Sequence, residues 1–136
     1  MHDKRMELLA QALATSGLDG AMRFLNATVS HRFTAVYVLQ DGDLINVGFS
    51  DRSEKVQGRQ LLPATLRTSL SPFILDDSAG AERKMYQHCV PVTDAQDHLL
   101  GTLCHFDFVP HELPDEEFDF LRLAAGAIAG HMPNRR

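Results

Sequence analysis

The sequence predicts an α+β domain in which a central antiparallel sheet of five to six strands carries the helices of both chain ends on one face. Helical apolar patterns occur at the two ends of the chain, and short apolar runs separated by turn signals fill its middle. Helices at both ends can cover the same sheet face. The other face is left to a central loop and a short helix, where a pocket can form.

The N-terminal region predicts two helices with a break at Ser16 and Gly17. Met6, Leu9 and Leu13 share one face of the first helix at helical spacing, and the second helix is expected over residues 18–30. We interpret residues 1–136 as one domain. Within it, the N-terminal helix, residues 1–17, is available for dimerisation, and residues 18–132 form the domain core.

A hairpin follows the predicted helices. Residues 33–39 and 44–49 are rich in β-branched and aromatic side chains, and Asp41-Gly42 between them is a turn signal. Pro63 suits the first position of a short helix over residues 63–70. Residues 71–77 are predicted to form a short strand.

The C-terminal part predicts two more strands, at residues 84–92 and 98–108, and a final helix. Pro91 indicates an edge strand or a bulge. Pro114 marks the start of the helix, and three acidic residues follow it at the positive end of the helix dipole. This helix is apolar almost all round, so it should be buried on two sides. One side faces the sheet; the other faces the N-terminal helices or a second subunit.

The composition excludes several classes of protein. The chain has 136 residues, 44% of them hydrophobic, and a formal net charge of −5, which argues against nucleic acid as a partner. It contains no apolar run long enough to span a bilayer and no signal-peptide pattern at its N-terminus. Two cysteines are too few for a secreted disulfide scaffold. We therefore expect a cytoplasmic protein with reduced thiols and no membrane partner.

Residues 89–129 resemble the C-terminal half of GAF domains. That half has a strand ending in Val-Pro-Leu, a turn, then Leu-Gly-Thr-Leu-Cys and an Asp, and a final helix. The matching residues here are Val90, Pro91, Val92, Leu100, Gly101, Thr102, Leu103, Cys104 and Asp107. Over residues 18–130 the resemblance implies a PAS-like, six-stranded fold. It also implies a regulatory module that binds a small molecule, often as a dimer through its terminal helices.

The resemblance does not name a ligand or cofactor, because the family binds many kinds of small molecule. The Asn-Lys-Phe-Asp-Glu set of the cyclic-nucleotide members is not found. Cys104-His105 is similar to the Cys-His pair of bilin-binding members. It lies in the strand motif and not on the pocket helix, so a bilin is not expected.

The two C-terminal strands carry the residues with the most reactive side chains. We expect Gly101 to allow a close backbone approach, Cys104 to be a small buried side chain and Asp107 to cap the turn after its strand. Pairing Thr93 with His98 would place Tyr86 opposite His105. Tyr86, His88 and His105 would then share one face, with Cys89 and Cys104 on the other.

The candidate pocket combines these residues with others of the central region. The candidate ligand-binding residues are Phe49, Arg67, Phe73, Asp76, Tyr86, His88 and His105. Each also has a structural interpretation, as packed or surface side chains. No metal site is predicted, since His88 and His105 lack a third ligand at convincing spacing.

Three functions from different classes remain open. The first is a small-molecule sensor or regulatory module that acts through dimerisation or a partner protein. The second is a ligand-free interaction module whose pocket is filled by its own side chains. The third is a cysteine-dependent enzyme similar to free methionine sulfoxide reductases, which rely on three clustered cysteines, whereas this chain has two. With no complete catalytic constellation, we do not expect an enzyme.

Overall fold

The structure is a computed structural model that describes residues 3–54, 64–65 and 86–133. These residues form two helices, four long strands and one two-residue strand. In chain order the elements are α1 (Asp3–Asn26), β1 (Phe33–Gln40), β2 (Asp43–Asp51), β3 (Ala64–Thr65), β4 (Tyr86–Thr93), β5 (Leu99–Asp107) and α2 (Asp115–Ala129). The predicted α+β class is confirmed.

Helix α1 consists of two segments joined at Gly17. The backbone of Gly17 has φ 66° and ψ −156°, a region that glycine enters without steric cost. The predicted break is therefore present, although the second segment ends at Asn26 and not at residue 30. That segment is attached to the sheet by Asp19, whose Oδ1 accepts a hydrogen bond of 2.9 Å from the amide of Phe49.

The strands form an antiparallel sheet in the order β3-β2-β1-β5-β4. The predicted hairpin turn is present: Asp41 and Gly42 both have positive φ, which matches the twist of a tight hairpin. The four long strands agree with the predicted antiparallel sheet. The number of strands beyond them stays a prediction.

The short helix predicted over residues 63–70 is wrong at Ala64 and Thr65. These two residues are β3 and pair with Asp43 and Leu44 of β2. The outer edge of β2 offers backbone donors and acceptors, and these two residues pair with that edge. The rest of this segment, and the strand predicted at 71–77, lie outside the described residues.

The two faces of the sheet pack against different layers. Both helices cover one face, here called the helix face, through a core that includes Leu9 and Leu13 of α1 and Val36, Val90 and Leu103 of the sheet. The opposite face is here called the aromatic face. Its buried members are Phe33, Ala35, Tyr37, Leu44, Phe49, Cys104 and Phe106.

Helix α2 is buried on two sides, as its sequence predicted. Phe120, Leu121 and Ile128 are at most 2% exposed. One side contacts the sheet and the other contacts α1, where Arg5 donates hydrogen bonds of 2.8 and 3.1 Å to Glu117. Within the described residues, neither helix is long and apolar enough to cross a membrane.

Candidate functional site

The aromatic face carries a stack of rings on its three central strands. The ring centroid of Phe33 lies 4.9 Å from that of Phe106 and 5.8 Å from that of Phe49. Tyr37 continues this face and is fully buried. Burial raises the pKa of the Tyr37 phenol well above its ordinary value, so the phenol stays protonated at neutral pH. These rings are packed against one another and are closed to solvent.

A cleft of about 250 Å³ adjoins the aromatic face near the turns of the two hairpins. The described residues that line it include Leu44, Cys89, Pro91, Leu99, Gly101 and Thr102. Leu44 belongs to the aromatic face and Cys89 packs against it. The cleft is therefore continuous with that face, and its volume is slightly below the usual range for drug-sized ligands.

The two cysteines meet on the same face. Cys89 of β4 pairs directly with Cys104 of β5, their Cα atoms are 4.2 Å apart, and a disulfide joins them. The expectation of reduced thiols is wrong for this structure. The placement of both cysteines on one face is confirmed, and Cys104 is fully buried, as predicted.

The helix face holds a cluster of four histidines, His31, His88, His105 and His111, here called the histidine cluster. His31 is its centre: its ring centroid lies 5.1 Å from that of His88, 5.6 Å from His105 and 5.0 Å from His111. The Nε2 atom of His31 is hydrogen-bonded to Nδ1 of His88 at 3.0 Å. His31 and His105 are 1% and 2% exposed and belong to the core, whereas His88 and His111 are half-buried.

The outer ring atoms of the cluster are held by polar neighbours. Nδ1 of His105 is 2.6 Å from the hydroxyl of Thr34, and Nε2 of His111 is 2.7 Å from Oδ2 of Asp107. The same Asp107 oxygen accepts a hydrogen bond from the amide of Arg32. Nδ1 of His31 is buried without a hydrogen-bond partner.

The environment of the cluster favours neutral imidazole. Burial, followed by the neighbouring His88 and His111, lowers the pKa of His31 to about 4. Burial, followed by His31 and His88, lowers the pKa of His105 to about 3. Burial and His111 also lower the pKa of His88. These rings are therefore uncharged at neutral pH.

Asp107 is the acid of the cluster and stays ionised. Burial alone would raise the pKa of its carboxyl. Hydrogen bonds from His111 and from the amides of Phe108 and Arg32 outweigh that effect and hold the pKa below its ordinary value. The bond to the Phe108 amide agrees with the capping role predicted for Asp107. Among the described residues, no group of three His, Cys, Asp or Glu side chains is arranged to hold a metal ion.

The predicted pocket residues are divided between the two faces. Phe49 lies on the aromatic face. His88 and His105 lie on the helix face, on the same side of their strands as Val90 and Leu103. Half-buried Tyr86 lies on the same side of β4 as His88. Arg67, Phe73 and Asp76 lie outside the described residues. The structure thus brings the two histidines together and separates them from Phe49.

The pairing of β4 with β5 differs from the prediction by two residues. Tyr86 pairs with Asp107 and His88 with His105, while the predicted partner of Thr93, His98, lies in the turn. Two features together explain the difference. The Asp94 carboxylate accepts hydrogen bonds from the amides of Gln96 and His98 and lengthens the turn by one residue, and an irregularity between Val92 and Thr93 displaces the pairing by one more. A displacement of two preserves the face of every side chain, so the predicted face-sharing is confirmed.

Sequence reasoning missed the residue at the centre of the histidine cluster. His31 lies in the connection between α1 and β1, far in sequence from His88. It is held there because Asn26 Nδ2 donates to the His31 carbonyl at 2.9 Å. Arg52 also binds the carbonyls of Asn26 and Val29 at the end of α1. The available signal was the count of seven histidines in a short chain.

The fold is that of GAF domains. The GAF domain of a phosphoenolpyruvate-protein phosphotransferase from Coxiella burnetii has a TM-score of 0.69 and 15% identity, over 94% of this chain and 90% of that chain. The phycocyanobilin-bound GAF domain of a cyanobacterial phytochrome has a TM-score of 0.63 and 14% identity, over 93% of this chain and 94% of that chain. The fRMsr of Staphylococcus aureus, in complex with substrate, has a TM-score of 0.58 and 15% identity, over 93% of this chain and 92% of that chain.

The solved structures share the fold of this chain at low sequence identity. No protein-family model matches the sequence, and no curated protein matches it significantly. At these identities the solved structures establish the fold of the chain.

Proposed function

We propose that the chain is a sensory or regulatory module that binds a small molecule at the cleft beside the aromatic face. The cleft is the observation that carries this proposal: it is concave, apolar in most of its lining and continuous with a stack of aromatic rings. The similar bilin-bound GAF domain supports it, since that protein holds a small molecule within the same fold. We assign no cofactor.

The expected ligand is smaller than a drug-sized molecule, because the cleft volume is about 250 Å³. Thr102 supplies a hydroxyl at the wall, where it donates to the carbonyl of Val90 at 3.2 Å. A ligand with one polar group and an apolar body matches this lining.

We place the output of the module in its terminal helices, through a homodimer or a partner protein. Leu9 and Leu13 are buried within the chain, so they are not available to a second subunit. The large apolar side chains that the helices expose are Leu8, at 38%, and Leu123, at 47%. These are the residues that we expect at such an interface. We further propose that the protein acts in the cytoplasm.

Native mass spectrometry of freshly purified protein tests the ligand proposal. We expect a reproducible mass above that of the chain, which denaturation removes. Thr102→Phe fills the cleft from its wall and should abolish the added mass. Val109→Phe places the same ring at a position that is 53% exposed and lies outside the cleft lining, and it should retain the added mass.

The competing function is a ligand-free interaction module. The complete burial of Phe33, Tyr37 and Phe106 favours it, because the interior of the aromatic face is already filled. The same spectra distinguish the two functions. Repeated preparations in which the wild-type chain shows no added mass favour the interaction module and contradict a bound ligand.

An enzymatic function is a third candidate, supported by the paired cysteines and by the similarity to fRMsr. Incubation with free methionine sulfoxide and a thiol reductant tests it. Turnover that Cys104→Ser abolishes would establish a reductase, whereas no turnover by wild-type protein would exclude this substrate.

A further inference from the structure

The Cys89–Cys104 pair has a chemistry that the sensory function does not use. The two residues are direct neighbours on adjacent antiparallel strands, and their Cα separation of 4.2 Å matches the closer of the two kinds of antiparallel pair. Each sulfur is thus held beside the other by the sheet itself. The strand pairing alone, with its hydrogen bonds, holds the two residues opposite each other.

The two sulfurs differ in their access to solvent. Cys104 is 0% exposed, and its neighbour on the other side is Ala35 of β1, which is also 0% exposed. Cys89 is half-buried and lines the cleft. Thiol–disulfide exchange depends on which sulfur the incoming thiolate can reach. The attacked atom is therefore Cys89 Sγ, and the leaving atom is Cys104 Sγ.

A hydroxyl group lies beside the leaving sulfur. Oγ1 of Thr102 is 3.6 Å from Cys104 Sγ and 3.2 Å from the carbonyl oxygen of Val90. A rotation of the hydroxyl proton from the carbonyl toward the sulfur gives the departing thiolate a charge-assisted hydrogen bond. Thr102 is a positioning residue in this scheme.

We propose that Cys89–Cys104 is a thiol–disulfide exchange site whose co-reactant is a small soluble thiol such as glutathione. The thiolate bonds to Cys89 Sγ, the protein disulfide breaks, and its electron pair leaves on Cys104 Sγ, which takes up a proton. A second thiolate then attacks the sulfur of the small thiol in the mixed disulfide and releases Cys89 as a thiolate. Two small thiols are oxidised to one disulfide while the protein gains two thiols.

This inference goes beyond the proposed sensory function and does not need a bound ligand. Disulfides in reducing compartments are usually transient or redox-sensing. An exchangeable pair reconciles the disulfide with the cytoplasmic location that we propose. The protein would alternate between a form in which β4 and β5 are linked and a form in which they are joined by hydrogen bonds alone.

Exchange in the folded wild-type protein is the first test. Protein purified without reductant is incubated with glutathione at neutral pH, quenched with acid at intervals, alkylated and mapped by tandem mass spectrometry. We expect a transient glutathione adduct on Cys89, then two free thiols, with an unchanged circular dichroism spectrum. A disulfide that opens only in denaturant, or an adduct that maps to Cys104, would overturn the proposal. The proposal would also be overturned if oxidised glutathione failed to reoxidise the two free thiols to the Cys89–Cys104 disulfide.

Two single-cysteine variants form a matched pair. With oxidised glutathione, Cys104→Ser should be modified at Cys89 in the folded state, and Cys89→Ser should be modified at Cys104 only after unfolding. Equal rates in the two folded variants would contradict the assigned direction of attack.

Thr102 provides a test that needs no cysteine change. Thr102→Val, which keeps the shape and removes the hydroxyl, should slow reduction by about tenfold or more, since tenfold is the lower end of the effect of one hydrogen bond to a charged group. Thr102→Ser should restore the rate. Identical rates in both variants would contradict the role of the hydroxyl.

Discussion

Nε2 of His31 lies 3.0 Å from Nδ1 of His88, so one of these two rings donates the proton that the other accepts. The bond requires at least one neutral ring, since two imidazolium rings would present two donors to each other. His105, His111 and Arg52 also face His31, and Asp107 is the acid near it. The arrangement therefore resists protonation in the folded state.

We predict that the protein loses stability as the pH falls from about 7 toward 4. The pKa of His31 is about 4 in the folded state and 6.5 ordinarily, so between these values the unfolded chain binds more protons and protonation favours unfolding. His31 alone should contribute on the order of 3 kcal/mol to this loss, at about 1.4 kcal/mol for each unit of pKa difference. Urea unfolding at a series of pH values measures it.

Two variants identify the source of that pH dependence. His31→Gln keeps a polar atom near the position of Nε2 and removes the titration, so stability should fall less steeply between pH 6.5 and 4. His98→Gln is the matched control, because the His98 side chain is 72% exposed and lies away from the cluster. A wild-type free energy of unfolding that stays constant between pH 7 and 5 would contradict the prediction.

We predict that Gly101→Ala severely destabilises the sheet. A Cβ atom at this position would lie 1.8 Å from the carbonyl oxygen of Tyr37, a backbone atom of the adjacent strand. The strands would have to separate, at a cost of several kcal/mol, above the roughly 1–3 kcal/mol typical of overpacking. Gly126→Ala is the control: a Cβ there meets nothing within 4 Å, and removing a helical glycine should stabilise by up to about 1 kcal/mol. Equal thermal midpoints would refute the close approach.

We predict a measurable coupling between Arg5 and Glu117 across the two helices. Both side chains are less than a quarter exposed, and the guanidinium also lies 3.8 Å from the ring centroid of Phe120. A double-mutant cycle with Arg5→Met and Glu117→Gln should give about 0.5–1 kcal/mol, decreasing with added salt. The exposed pair Lys4–Glu7, at 4.0 Å, should give no measurable coupling.

We predict that a dimer formed through the terminal helices depends on Leu123 and not on Leu9. Leu123 is 47% exposed, whereas Leu9 is fully buried between the helices and the sheet. Sedimentation equilibrium of wild-type protein should give twice the 15.1 kDa chain mass, and Leu123→Glu should reduce it. Leu9→Glu should instead unfold the chain, because it buries an unpaired charge. A wild-type mass equal to that of the chain at all concentrations would rule out the dimer.

Much of the fold was predictable because local sequence patterns determine it. The positive-φ turn at Asp41-Gly42, the break at Gly17 and the start of α2 after Pro114 each follow from the backbone preferences of the residues involved. Short pairing segments such as β3 have no such pattern. Their position depends on an available strand edge, which is a property of the assembled sheet.

The candidate sites were less predictable, because they depend on contacts between residues distant in sequence. The face shared by Cys89 and Cys104 followed from alternation along each strand. Their direct pairing depended on the longer turn at Asp94 together with the register shift between Val92 and Thr93. His31 and His88 are 57 residues apart, and no spacing rule connects them. Which face the helices cover also decided whether the histidines lie in a pocket or in the core.

The interruption of α1 at Gly17 has a consequence for how the chain tolerates insertions. In an unbroken helix, one added residue rotates the N-terminal portion by about 100° relative to the C-terminal portion. Here the backbone at Gly17 leaves the helical conformation, so it can absorb that rotation. After an insertion between Leu13 and Gly17, the first segment can therefore keep its packing on α2, while the second segment, attached through Asp19 to β2, keeps its own orientation. The rotation of the N-terminal segment about its own axis is therefore not fixed by the rotation of the second segment of α1.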